Sequence, residues 1–295
     1  MPFSRRQRTL SRRQFLSLGV YGLAAAGLVD TLWIEPHGLR IESFSQATGQ
    51  GGRTVRLVQI SDLHLEECNA YFRKTAEQVV ALKPDLIVLT GDYLEEERNI
   101  RAVLEFLDLL KAPHGVFAVQ GNWEYWSRLE GENLRRHFQG VGVKLLINDR
   151  ADVESNGQRL SILGLDYPSS GDQLRRLQAQ TAPERFNLLL SHVPGFPHEH
   201  LERHIGLILC GHTHGGQVRL PLLPPLYLPR FSGRFVAGGY QVGPHSTPLY
   251  VNRGIGTSVL PVRLACRPEI TLIELQPGRG LTESPAAPAT PPSTG

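Results

Sequence analysis

Apolar residues concentrate in five short runs: Val55–Ile60, Leu86–Leu89, Val116–Val119, Phe186–Leu190 and Ile205–Cys210. Each has the length of a strand and carries few polar positions, the pattern of a strand buried on both faces. Between the first three runs the period changes. In Tyr71–Lys83, residues Phe72, Ala76, Val79 and Val80 fall on one helical face, and in Asn99–Lys111 so do Ile100, Val103, Leu104, Leu107 and Leu110. Alternating strand and helix predicts an α/β fold with largely parallel strands.

The residues that follow these runs share one chemistry. Val55–Ile60 leads into Asp62 and His64, Leu86–Leu89 into Gly91-Asp92, and Val116–Val119 into Gly121-Asn122. Phe186–Leu190 leads into His192, and Ile205–Cys210 into Gly211-His212-Thr213-His214. Ligands of α/β sheets bind beyond the carboxyl ends of the strands. A single Asp there is usually a turn or cap; Asp166, after the run Leu160–Leu165, reads as structural or supporting. Five endings with seven ligand-type side chains are a site. Seven exceeds the needs of one catalytic metal but suits two that share a carboxylate. Mixed nitrogen and oxygen donors without thiolate favour manganese, iron or zinc. Two such ions about 3.5–4 Å apart can clamp a phosphoryl group and activate a water for in-line attack.

Composition narrows the class. Hydrophobic residues at 41% and charged residues at 20% exclude a largely disordered chain. With one apolar stretch near spanning length, the chain is not polytopic. Three cysteines cannot build a disulfide framework. The net charge of +3 divides unevenly: residues 1–16 hold five arginines and no acid, which leaves the rest at −2. A nucleic-acid partner therefore has no support. Arg12-Arg13-Gln14-Phe15-Leu16 opens an apolar stretch to Ile34, interrupted by Ser17, Asp30 and Thr31. Residues 1–34 thus read as a twin-arginine-like export signal, whose partner is the twin-arginine export machinery, or as an uncleaved membrane anchor. Residues 277–295, rich in Pro, Ala, Ser and Thr, read as a disordered tail. The domain itself is placed at 35–276.

The segments Asp62-Leu63-His64, Gly91-Asp92, Gly121-Asn122, His192 and Gly211-His212-Thr213-His214 resemble the calcineurin-like metallophosphoesterases, over about residues 55 to 275. Gly215–Val218 and Val251–Leu275 are similar to a bacterial branch of exported or membrane-associated enzymes that includes the UDP-2,3-diacylglucosamine pyrophosphatases of lipid A biosynthesis. The resemblance implies a four-layer α/β/β/α sandwich. It also implies that one metal takes Asp62, His64, Asp92 and His214, and the other Asp92, Asn122, His192 and His212, with Asp92 bridging. Asp92, Asn122 and His192 would then carry catalysis, and Cys210 would be strand packing.

One position departs from the family, which usually places histidine after the motif asparagine; this chain has Trp123. In the family that histidine contacts phosphate and helps to protonate the leaving oxygen, and an indole is no general acid. Either another group donates, with Glu124, Tyr125, His114 and His198 as candidates, or the leaving group needs no proton. The second option favours a phosphodiester or pyrophosphate over an alkyl phosphate. Trp123, Tyr125 and Trp126 could stack on a base or sugar, touch acyl chains or simply pack, and Glu124 among them is a further candidate substrate contact. Arg253 and Arg263 are candidate phosphate contacts, and the proline-rich run Pro221–Phe231 could cap the site and meet a membrane surface.

The expected protein is therefore a two-metal phosphohydrolase acting on a phosphorylated small molecule or lipid. Its alternatives are a broad phosphomonoesterase and a non-catalytic metal-binding envelope scaffold. Export places the body in the periplasm, a lumen or the cell envelope; a retained anchor would leave it on the cytoplasmic face of the inner membrane.

Overall fold

The computed structural model describes residues 27–220 and 223–278, together with residues 12, 13, 17, 21 and 22. Most of the leader and the tail beyond Gly278 lie outside the described residues. Twelve strands run in chain order: β1 (Arg40–Ala47), β2 (Val55–Ile60), β3 (Leu86–Thr90), β4 (Val116–Val119), β5 (Val143–Leu145), β6 (Asp149–Ser155), β7 (Gln158–Leu165), β8 (Phe186–Ser191), β9 (Ile205–Cys210), β10 (Gly238–Val242), β11 (Thr247–Val251) and β12 (Glu269–Gln276). After the leader, five α-helices are found among the described residues: α1 (Ala70–Ala81), α2 (Ile100–Leu109), α3 (Asn122–Trp126), α4 (Gly131–Gly140) and α5 (Gly171–Gln178).

The strands form two six-stranded sheets, ordered β1-β12-β2-β3-β4-β5 and β10-β11-β9-β8-β7-β6. Each has a parallel centre: β2, β3, β4 and β5 run together in one, and β7, β8, β9 and β11 in the other. Both sheets are mixed, because β12 runs against β2, β6 against β7 and β10 against β11.

Side-chain alternation explains the layering. In β3, Leu86 and Val88 pack between the sheets, while Ile87 and Leu89 pack beneath α1, α2 and α4. In β9, Leu207 and Leu209 face the other sheet, while Ile208 and Cys210 face the layer of α5. Strands covered on both faces must be apolar throughout, which is why these runs stand out in the sequence. The result is the four-layer α/β/β/α sandwich. Helix α1 is capped by Asn69, whose side chain accepts from the N–H groups of Tyr71 and Phe72. Among the described residues no helix is long and apolar enough to cross a membrane.

Candidate dinuclear metal centre

Strands β2, β3 and β4 of one sheet and β8 and β9 of the other end at the same edge of the sandwich. There Asp62, His64, Asp92, Asn122, His192, His212 and His214 come together, all buried. Backbone bonds tie the strand ends across the edge: Asp62 N–H donates to the Gly91 carbonyl (3.0 Å) and Gly211 N–H to the His192 carbonyl (3.0 Å). The turns are sharp. Asp62, His64, Asp92, His212 and His214 all take positive φ, between 44° and 73°. Asp and His tolerate that region better than most residues, but such conformations have a cost and cluster at functional sites. Gly91 permits the crowding: at φ 91°, a Cβ there would stand 2.6 Å from His192 Nδ1.

Two triads result, Asp62/His64/His214 and Asp92/His192/His212, and the ligand atoms within each lie within 4.8 Å of one another. Asn122 joins the second, its Oδ1 3.1 Å from His192 Nε2. Asp92 Oδ2 stands between the triads, 3.1 Å from His192 Nε2 and 3.8 Å from His64 Nε2. The outward ring nitrogens fix the tautomers. His192 Nδ1 lies 2.6 Å from the Thr90 carbonyl and His212 Nε2 2.7 Å from the Arg230 carbonyl. A carbonyl can only accept, so both nitrogens carry hydrogen, and the opposite nitrogens face inward as the atoms that offer a lone pair once deprotonated. Inside, His64 Nε2 and His214 Nε2 are 3.0 Å apart, as are His192 Nε2 and His212 Nδ1. Lone pairs at that distance repel unless a proton or cation lies between them, so the donor set fits two divalent ions.

The electrostatics agree. Burial works against charge on His192, but the neighbouring Asp92 carboxylate outweighs it and raises the imidazolium pKa to about 9. Burial opposes ionisation of Asp92 as well, yet His192 and His64 hold it below the usual carboxylate range. Burial raises Asp62 to about 6, and lowers His212 to about 4 with the charge of His192 adding to the effect. The protons held by such a cluster are those a divalent cation displaces.

The surrounding candidates divide. Trp123 sits edge-on to His64, ring centroids 5.8 Å apart, and Trp126 packs against Trp123 at 5.0 Å. Both open onto a cleft of ≈ 450 Å³ that reaches Asp92, Asn122, His212 and His214 and continues between Leu226, Tyr227, Val259 and Leu260. Glu124 is placed elsewhere than expected of a substrate contact: it is fully buried, and its carboxylate accepts from the N–H groups of Asp92 (3.0 Å), Tyr93 (2.7 Å) and Gly121 (2.6 Å). Tyr125 donates its hydroxyl to Asp166 (2.8 Å), which makes Asp166 a supporting residue.

Both arginines also have other work. Arg263 is fully buried and donates to the carbonyls of Cys266 (3.1 Å), Arg253 (3.0 Å), Gly254 (3.2 Å) and Gly256 (2.5 Å), so it cannot reach a phosphate. Arg253 pairs with Glu42 (3.1 Å) and the buried Glu269 (3.0 Å). His198 lies between Phe196 and Phe235 in the outer layer of the second sheet, and His114 at the amino end of β4, opposite the site.

Glu95 was not legible in advance. Its carboxylate lies 3.1 Å from His64 Nδ1 and orients that ring. In the sequence it is one of three consecutive glutamates, and nothing there distinguishes it from Glu96 or Glu97.

A sandwich with two buried Asp/His triads at its strand ends defines a dinuclear metallohydrolase. Residues 55–216 match the calcineurin-like phosphoesterase family, and the chain belongs to it, as a metal-dependent phosphoester hydrolase. It is 31% identical over 288 residues to the uncharacterized metallophosphoesterase YkuE of Bacillus subtilis, covering 90% of this chain and 98% of that one. It is 33% identical over 200 residues to the phosphodiesterase YaeI of Escherichia coli, covering 65% and 71%. Among solved structures, a dimetal phosphatase from Danio rerio aligns with a TM-score of 0.41 at 14% identity, covering 69% of this chain and 88% of that one.

Proposed function

We propose that this chain hydrolyses a phosphodiester or pyrophosphate bond in a molecule with an apolar portion, such as a lipid-linked phosphate. Trp123 carries the reading, because it puts an indole where a ring acid would protonate the leaving group. The alternative donors are committed. Glu124 holds three backbone N–H groups, Tyr125 gives its proton to Asp166, and His114 and His198 lie away from the site. A leaving phosphate or nucleotide needs no such donor, since the second pKa of a phosphate monoester is about 6.

Two divalent ions at the triads would supply Lewis acidity to the phosphoryl oxygens and lower the pKa of the attacking water. The chain's own residues do the rest. Asp92 faces both triads, Asn122 offers a neutral amide oxygen, and Thr90 and Arg230 lock two imidazoles in the ligating tautomer. The cleft lined by Trp123, Trp126 and Tyr227 offers an apolar seat beside Asp92, Asn122, His212 and His214. The name of the similar phosphodiesterase YaeI is in keeping with a diester substrate.

The test is a comparison of leaving groups. The purified protein should cleave bis(p-nitrophenyl) phosphate and a pyrophosphate diester much faster than an alkyl phosphate. Equal rates on all three would restore the broad phosphomonoesterase. Asp92→Ala should abolish turnover, and activity that survives it would overturn the mechanism; no turnover in the wild type would leave the metal-binding scaffold.

A further inference from the structure

The mouth of the cleft is ringed by apolar side chains that stay exposed among the described residues. On the proline-rich loop, Leu226 and Tyr227 are 66% and 73% exposed; on the facing loop, Val259 and Leu260 are 81% and 59% exposed. Trp126, at 62%, closes the ring from α3. Soluble surfaces seldom gather exposed apolar side chains in this way without a partner. Tyr and Trp, apolar in body and polar at the tip, suit a boundary between hydrocarbon and water.

The end of the N-terminal apolar stretch meets the same rim. Leu32 shares a hollow with Val259 and Leu260. The Thr31 carbonyl accepts from Arg263 N–H (3.1 Å), and the buried Glu35 carboxylate accepts from the N–H groups of Ala265 (2.8 Å) and Cys266 (2.6 Å). These bonds fix the chain just before β1. Trp33 and Ile34, next along the chain from Leu32, are 70% and 54% exposed, and they close the apolar run that begins at Leu16.

We propose that a phospholipid bilayer covers this face, so that the cleft opens onto the headgroup layer with Leu32, Trp33 and Ile34 at the same surface. Continuity with an apolar run of 19 residues favours a bilayer over a second copy of the chain. The hollow beside the Val259–Leu260 loop also holds Glu66, Glu67 and Glu95. Those acids disfavour an anionic surface, so the contact is apolar in origin and should hold on zwitterionic lipid and in high salt. The proposal deepens the reading of the site as a hydrolase of an apolar phosphoester, and its account of how substrate arrives rests on that reading.

The test uses the full chain with an environment-sensitive fluorophore at Val259→Cys, and separately at Lys83→Cys before β3, at the opposite edge. The three native cysteines are buried. On phosphatidylcholine vesicles the label at 259 should shift to the blue and the label at 83 should not. Leu226→Glu, Tyr227→Glu and Val259→Glu together should lower vesicle partitioning roughly tenfold or more, with the unfolding midpoint and metal content of the wild type. The proposal fails if the protein ignores vesicles, if the label at 259 stays unshifted or both labels shift alike, or if the triple variant partitions as well as the wild type. It also fails if the shift at 259 appears without vesicles as protein concentration rises, which would reveal a second copy. Wild-type turnover of soluble bis(p-nitrophenyl) phosphate is scored separately, so failure of docking and failure of the proposed chemistry are told apart.

Discussion

Two adjacent residues of α3 show how differently neighbours can serve one site. Glu124 contributes no ligand, yet its carboxylate gathers the N–H groups of Asp92, Tyr93 and Gly121 and so fixes the backbone of a ligand. An unsatisfied buried donor costs about 1–3 kcal/mol, so Glu124→Ala should destabilise the fold by several such increments and weaken metal binding. Glu124→Gln, which keeps one acceptor oxygen, should fall between; thermal unfolding and metal titration read both. Trp123 lies over His64 at the cleft and offers only an indole N–H. General acids contribute about 10²–10⁴-fold, so Trp123→His should speed alkyl phosphate cleavage at least tenfold while changing the nitrophenyl diester little. No gain on the alkyl ester would show that protonation is not what Trp123 withholds.

Among the elements, the segment between β11 and β12 has no regular structure and is held by one buried cation. Arg263 binds four carbonyls of residues 253–266, and its main-chain N–H reaches Thr31. Arg263→Met keeps the bulk but leaves those carbonyls without a donor, so it should lower the melting temperature by several degrees and expose the segment to limited proteolysis. Arg253, tied to Glu42 of β1 and Glu269 of β12, joins the edge strand β1 to its neighbour β12. Removing Arg253 leaves the buried Glu269 carboxylate without its cation, at a cost below the roughly 3–5 kcal/mol of a fully buried pair because Arg253 is itself partly exposed. Arg253→Met should therefore reduce stability while leaving KM for the nitrophenyl diester near that of the wild type; a large rise in KM would return Arg253 to the substrate site.

At the scale of the molecule, the metal centre joins the two sheets, since each triad draws ligands from both. Chelation should lower the melting temperature and leave far-UV circular dichroism largely intact, because the three apolar layers do not depend on the ligands. Metal affinity should depend on pH with a definite sign. A protonated imidazole has no lone pair to donate, and His192 keeps its proton until about pH 9. Affinity should thus rise with pH through the neutral range, by about tenfold per unit for each proton displaced, and level near 9. Calorimetry in buffers of different ionisation enthalpy counts those protons; no proton release at neutral pH would contradict the geometry around His192.

By itself the sequence determined the strand-and-helix core and the residues at its strand ends. Strands buried on both faces must be apolar throughout, and ligands that follow such strands are fixed by chain position. Elements without that signature stayed hidden. Strand β1, Arg40–Ala47, is mostly polar and is recruited by eight register pairs with β12, more than two hundred residues away. Helix α3 is five residues long, too short for a period to show. Only the tertiary structure decided which charges work inward and which side chains face out. Burial turned Arg263 and Glu124 from substrate contacts into supports, and proximity made Glu95 a partner of His64. Packing also left Leu226, Tyr227, Val259 and Leu260 uncovered around one mouth. An arginine or a leucine has the same letter in each of these roles; what separates them is the solvent and the neighbours that folding assigns.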